Sequence, residues 1–261
     1  MQKYRLFVFR NGPYRNDERK GDKTMRIEKK QRFTPVTNKE FRCGNIIYHA
    51  FRGTTICILR GKNGDMMIDT GLFHVRRSVE KWAKNFNIKY IFITHAHADH
   101  DWNARYFAEK FGAKILLNRK DLGLRSNFAP MTATRDKYRF KCFNLNISGS
   151  LFPSPRYKVD IPVRSEGSGL LKKLGFDAGF VFLPGHTPGM TGILSGDTLY
   201  CGDAFTALFY EPEIPPYAMD TDTMKRSLKK LSGLDAEWLA CGHGLPVKMN
   251  DARKVIERYL R

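Results

Sequence analysis

Long apolar runs are missing from this sequence. No window approaches ~18 consecutive apolar residues, so no helix is expected to cross a bilayer. Cysteine is scarce and unpatterned: Cys43, Cys57, Cys142, Cys201 and Cys241 are odd in number and contain no CxxC spacing. That excludes a disulfide framework and suggests reduced thiols in a cytoplasmic protein. The apolar start "YRLFVF" runs into Arg10 with no small-residue cleavage site, so no signal peptide is expected. Internal repeats and low-complexity tracts are absent as well. Acidic residues are also in short supply, 26 against 45 Lys and Arg, which leaves a net charge of +19.

The basic excess is uneven. It amounts to +11 over residues 1–64 and +8 over 101–180, but only +1 over 65–100 and −1 over 181–261. A solvated basic enzyme surface accounts for it, and nucleic acid, an anionic substrate or a membrane surface are the other uses of such charge. The 261 residues are long enough to bury a substantial core. Residues 1–24, polar and charged around "RNDERKGDK", read as a basic N-terminal extension, and 25–261 as one domain.

From residue 45 onward, strands give way to alternating helices and strands. "NIIYHAF" (45–51) and "TICILR" (55–60) are β-rich, and "KNGD" at 62–65 marks a tight hairpin into "MMIDTG". Val75, Val79, Trp82 and Phe86 recur at helical spacing over 75–86. "KYIFIT" (89–94) is a wholly apolar strand, as expected when both faces are covered. A second helix is expected over 102–112, ending at Gly112. "YRFKCFNLNI" (138–147) has a β-like alternation, and Gly196-Asp197 reads as a hairpin turn. A helix over 221–233 turns Met224, Leu228 and Leu231 inward, and a last helix starts at an Asp251 cap.

The densest chemistry lies in "THAHADHD" (94–101), which holds three of the seven histidines. His95 and His97, two apart on an extended segment, project to the same side. Asp99 and His100 follow where the chain turns toward a helix. A transition metal is the usual reason to gather such groups, since Zn²⁺ accepts imidazole nitrogen and carboxylate oxygen together. His186 in "LPGHTPG", Asp203 in "CGDAF" and His243 in "CGHGL" each follow an apolar strand, so four strand ends deliver metal-binding side chains.

This set of motifs, with "IDTG" ahead of it, resembles the metallo-β-lactamase superfamily over roughly residues 45–245. The resemblance implies an α/β fold, an αββα sandwich of two mixed sheets flanked by helices. It implies two divalent metal ions, most simply Zn²⁺, with Fe or Mn as substitutes. His95, His97 and His186 would take the first ion. Asp99, His100 and His243 would take the second, with Asp203 between them. Asp69 matches the family's acid that orients a ligand imidazole, and Asp99 is the candidate proton donor.

Within the superfamily, "THAHADH", "LPGHTPG" and "CGDAF" look most like the glyoxalase II and lactonase branch. That likeness implies a metal-dependent hydrolase acting on a small-molecule ester, thioester or lactone. Only 18 residues follow His243, which leaves no room for a helical glutathione-binding domain. Two rival readings remain: a mononuclear iron persulfide dioxygenase using His95, His186 and Asp203, and a metal-dependent ribonuclease using the basic surface. Nucleic acid is not the favoured partner, because the cations are not interleaved with aromatics. The aromatic stretch 204–220 is expected to wall the pocket, with Tyr210 or Tyr217 as candidate substrate contacts and His74 at its edge.

Overall fold

The computed structural model describes residues 39–43, 46–51, 54–125, 127–207 and 211–261. The extension expected over 1–24 and Tyr210 lie outside the described residues. The chain begins with a meander of four strands, β1 (Lys39–Cys43), β2 (Ile46–Phe51), β3 (Thr54–Leu59) and β4 (Asp65–Ile68), with the expected hairpin at 62–65. Helix α1 (Arg76–Ala83) then crosses to β5 (Ile88–Ile93). The short α2 (Ala98–Asp101) and α3 (Ala104–Phe111) lead to β6 (Lys114–Asn118). After β7 (Thr132–Ala133) and α4 (Arg139–Leu151), β8 (Ile161–Val163) closes a seven-stranded mixed sheet of order β1-β2-β3-β4-β5-β6-β8.

Following α5 (Gly169–Lys173), a second mixed sheet forms from β9 (Gly179–Phe182), β10 (Thr191–Ser195) and β11 (Thr198–Tyr200). The short β12 (Tyr217–Ala218) pairs with β7 instead. Helix α6 (Thr221–Ser232) precedes β13 (Trp238–Ala240), β14 (Val247–Lys248) and α7 (Met249–Leu260), giving the order β14-β13-β11-β10-β9.

The period-two alternation of each strand sorts its side chains into two faces, and the packing follows from that. Tyr48, Cys57, Met66, Ile68 and Phe92 of the first sheet meet Phe180, Ile193, Tyr200 and Ala240 of the second in a dry inter-sheet core. The intervening residues Ile56, Ile58, Met67, Ile91 and Ile93 face outward against Val79 and Trp82 of α1 and Phe107 of α3. On the other side, Leu199 and Leu239 pack on Met224, Leu228 and Leu231 of α6 and Ala252 and Ile256 of α7. Three apolar layers between four layers of structure make the expected αββα sandwich.

Three local readings are corrected. Residues 139–151 are helical, not β: Phe140, Phe143, Ile147 and Leu151 repeat at helical spacing, and the Ser150 hydroxyl donates to the Asn146 carbonyl four residues back. The apparent alternation arose because apolar residues on that helix point both to Met131 and to solvent. The last helix begins at Met249 with Lys248 at its cap, so Asp251 lies in its first turn rather than at the cap. The 204–220 stretch contributes to the core: Phe205 and Ile214 are fully buried against the second sheet's outer face. Four cysteines, Cys57, Cys142, Cys201 and Cys241, are free and buried.

Candidate metal centre

Strands β4 and β5 are parallel neighbours in the first sheet, and β11 and β13 are parallel neighbours in the second. Their carboxyl ends therefore open at one edge of the sandwich, the usual place for a site in a sheet with parallel strands. Asp69 follows β4, the histidine cluster follows β5, Asp203 follows β11 and His243 follows β13. His186 reaches the same edge from the loop between β9 and β10. Every residue of the expected set is thus brought together.

Two donor groups result. The ring nitrogens of His95, His97 and His186 lie within 4.8 Å of one another, and so do one donor atom each of Asp99, His100 and His243. Asp203 joins them: it groups with His95 and His100, and its Oδ2 is 3.1 Å from His243 Nε2 and 3.6 Å from His186 Nε2. Asp99 Oδ2 stands 3.2 Å from His243 Nε2. His95, His100 and Asp69 are wholly buried, whereas Asp99 and His243 are only half-buried and form the mouth.

The chemistry of this donor set fits metal ions. Among the described residues, His95 Nε2, His100 Nε2 and Asp203 Oδ1 are buried without a hydrogen-bonding partner, although such atoms are normally paired. All three belong to the same donor group. Room is reserved as well: a Cβ on Gly242 would fall 2.3 Å from Asp203 Oδ1 and 2.6 Å from His100 Cε1.

Three of the five imidazoles are held through Nδ1. His100 Nδ1 donates to Asp69 Oδ2 at 2.9 Å, which turns Nε2 toward the donor group. His186 Nδ1 donates to the Tyr217 carbonyl at 2.9 Å, and His95 Nδ1 lies 3.1 Å from the Thr94 hydroxyl. Orienting contacts of this kind set the tautomer and stiffen the ring. Asp69 is itself fixed by the Thr94 amide at 2.8 Å and by the Tyr200 hydroxyl at 3.0 Å. Its φ of 61° is the sole positive value among described non-glycine residues, a left-handed turn that Asp tolerates better than branched residues.

The electrostatics divide the site. Burial, reinforced by the surrounding imidazoles, holds His95 well below the usual histidine range. The same two causes bring His97 down to about 3. Burial also lowers His186, against the pull of Asp203. Burial thus disfavours the charged form of all three rings, and a neutral imidazole is the form that binds a metal. His186 Nε2 and His97 Nδ1 lie 3.0 Å apart and face each other across this group. At the other group burial is overruled: Asp203 and Asp99 raise His243 to about 10 despite it. His243 and His100 likewise hold Asp203 well below the carboxylate range.

Three supporting residues escaped the sequence reading. Asp121, after β6 and fully buried, accepts from the Ala96 amide, the Thr187 hydroxyl and the Gly189 amide, so one carboxylate fastens the His95–His97 loop to the His186 loop. Asp101 accepts from the Ser154 hydroxyl and, at 2.9 Å, from Tyr157, which ties α2 to the segment after α4. Burial raises its carboxyl to about 7. Phe128 stacks on His97 with ring centroids 6.4 Å apart. Asp101 ends the "THAHADHD" stretch and Asp121 lies in "NRKD", but no spacing gave either a role, and nothing in the sequence marked Phe128.

The other candidates have different surroundings. His49 stacks on Phe51 and packs on Trp82 under β2. Tyr217 contributes its carbonyl to His186. His74 packs edge-on against the exposed Phe73. Cys201 and Cys241 face each other, sulfur to sulfur at 3.9 Å, within the outer core of the second sheet.

Comparison with known proteins agrees with this geometry. Residues 50–243 match the family profile of the metallo-beta-lactamase superfamily. The chain is 26% identical over 211 residues to the "Probable metallo-hydrolase YflN" of Bacillus subtilis, covering 70% of this chain and 76% of that one. It is 29% identical over 129 residues to the hydroxyacylglutathione hydrolase GloC of Haemophilus influenzae, covering 45% of this chain and 53% of GloC. Among solved structures, a metallo-beta-lactamase mutant from Cronobacter sakazakii superposes with a TM-score of 0.62 at 17% identity. That match covers 86% of this chain and 94% of the other, and it shows the shared fold.

Proposed function

The chain belongs to the metallo-beta-lactamase superfamily, and we propose that it is a hydrolase holding two divalent metal ions and cleaving a small ester, thioester or lactone. Zinc is the first candidate, with iron or manganese as alternatives. The observation that carries this reading is the pair of donor groups at one sheet edge, with Asp203 next to both and three buried donor atoms that have no hydrogen-bonding partner among the described residues. His95, His97 and His186 would hold one ion, Asp99, His100 and His243 the other, and Asp203 would bridge.

Bound there, such ions supply Lewis acidity and lower the pKa of water toward ~7, so no serine or cysteine nucleophile is needed. The chain's own residues do the remaining work. Burial of His95 and His186 keeps bulk water from one side of the site. Asp69 fixes the His100 ring, and Asp121 fixes the spacing of the two histidine loops. Asp99, half-exposed at the mouth, is kept ionised by His100 and His243 although burial raises its carboxyl. It would therefore first accept the proton that the attacking water gives up and then pass it to the leaving group. The likeness to a hydroxyacylglutathione hydrolase supports an acyl-thioester substrate, and a lactone needs the same attack at an acyl carbon.

The test is elemental analysis of protein purified with oxygen excluded and no metal added, followed by a panel of thioesters and lactones. About two zinc, iron or manganese ions per chain with turnover of either class is the expected result. A single iron, retained after loss of His100 and His243, would overturn the dinuclear reading and direct attention to oxygen uptake with persulfides.

A further inference from the structure

Helix α4 turns Cys142, Asn146 and Gly149 toward the protein, whereas its largest apolar residues face solvent among polar neighbours such as Asn144 and Ser150. Cys142 and Asn146 bond the Met131 backbone, and Gly149 lies so close to Phe128 that a Cβ there would meet the ring at 2.3 Å. On the opposite side Phe140, Phe143, Ile147 and Leu151 form one stripe, which Phe152 extends. These five are 49–76% exposed, and they are five of the seven large exposed hydrophobics among the described residues. Apolar exposure is thus concentrated on one helix rather than scattered, and such concentration marks an interaction surface.

The charge around the stripe indicates what covers it. Residues 135–156 carry Arg135, Lys137, Arg139, Lys141 and Arg156 against Asp136, which pairs with Arg139. Glu213 pairs with Arg135 and Lys137, so the balance around the stripe stays basic. No carboxylate lies on α4 itself, and Arg139 and Lys141 flank the stripe. A second copy of this chain would bring an equally basic surface against this one, which like-charge repulsion opposes. An outward apolar stripe flanked by Lys and Arg matches instead the helix that lies in the plane of a membrane interface, with aromatics among the acyl chains and cations on anionic headgroups.

We propose that α4 docks this protein onto an anionic lipid surface, through Phe140, Phe143, Ile147, Leu151 and Phe152 with Arg139 and Lys141 at the headgroups. The inference is independent of the metal reading and of the substrate. Docking would present the mouth of the site close to the bilayer, because α4 backs Phe128, and Phe128 stacks on His97.

The experiment is sedimentation of the full chain with vesicles of phosphatidylcholine containing phosphatidylglycerol, beside vesicles of phosphatidylcholine alone. Wild type should sediment with the anionic vesicles and much less with the neutral ones. A Phe140→Ser/Phe143→Ser/Ile147→Ser variant should bind at least roughly ten-fold more weakly, and Lys141→Glu several-fold more weakly, with unchanged melting temperature and metal content. Failure of wild type to bind, or equal binding by the triple variant, would overturn the proposal; the latter would assign the attraction to general basic charge. A concentration-dependent dimer that the triple variant abolishes would also overturn it, in favour of a second copy.

Discussion

The Tyr200 hydroxyl lies 3.0 Å from Asp69 Oδ2, the same oxygen that receives His100 Nδ1 at 2.9 Å. Burial pushes the Tyr200 phenol well above its ordinary range, with Asp69 adding to the rise, so the group remains a donor at any working pH. Asp69→Asn removes the charge that fixes the His100 ring. Metal affinity at the Asp99, His100 and His243 group should fall ~10–100-fold, read by competition with a chromophoric chelator. Tyr200→Phe should lower it less, because Thr94 still holds Asp69.

Asp121 has the opposite character, a carboxylate used for its geometry rather than its charge. Burial raises its pKa against three hydrogen bonds, but both oxygens are in use: Oδ1 accepts from the Gly189 amide and Oδ2 from the Ala96 amide and Thr187 hydroxyl. An Asn would set its NH2 against at least one buried N–H. Asp121→Ala orphans buried donors at Ala96, Thr187 and Gly189, each at a cost of about 1–3 kcal/mol. Urea unfolding should therefore show the larger loss for Asp121→Ala and a smaller but still clear one for Asp121→Asn, which keeps one acceptor. Metal loss should follow the same order.

Gly242→Ala tests the reserved space. The new Cβ would displace Asp203 or His100, so retained metal should drop severely while far-ultraviolet circular dichroism stays native. Gly112→Ala makes the control, since a Cβ at Gly112 meets nothing within 4 Å and only its left-handed φ of 63° is strained.

The metal-free protein should be most stable near pH 6.5. His97, with an ordinary value of 6.5, is depressed to about 3 when folded, so its contribution is complete above 6.5 and is lost as pH falls toward 3. His95 and His186 are lowered in the same sense. His243, raised to about 10, contributes fully below 6.5 and loses that contribution as pH rises toward 10. Asp101, raised from 3.8 to about 7, works against the three imidazoles over that range but is one group against three. Melting temperatures of chelator-treated protein across pH 4–10 should form a dome, and zinc should flatten it.

The donor set was legible because its chemistry is local in sequence: a short apolar strand followed by His, Asp or Gly-His reads the same in any context. The sandwich was legible for a related reason, since "KYIFIT" is apolar on both faces and so demands cover on both. Helix α4 was misread because periodicity assumes that apolar residues point inward, and there Phe140 and Phe143 point outward. Asp121 was missed because its partners are backbone amides at Ala96 and Gly189, and amides carry no side-chain signature. Phe128 was missed because stacking on His97 depends on how a loop closes, which no spacing encodes.

The donors come from both sheets: His95, His97, Asp99 and His100 follow β5 of the first, whereas His186, Asp203 and His243 lie on the second. Neither half of the chain carries a full donor set, so an ion gains little from an early intermediate in which one sheet stands alone. Ligation would therefore act after the barrier rather than before it. Added metal should leave the refolding rate nearly unchanged and slow unfolding by most of its stabilising effect, making the ion a latch on kinetic lifetime rather than a template for folding.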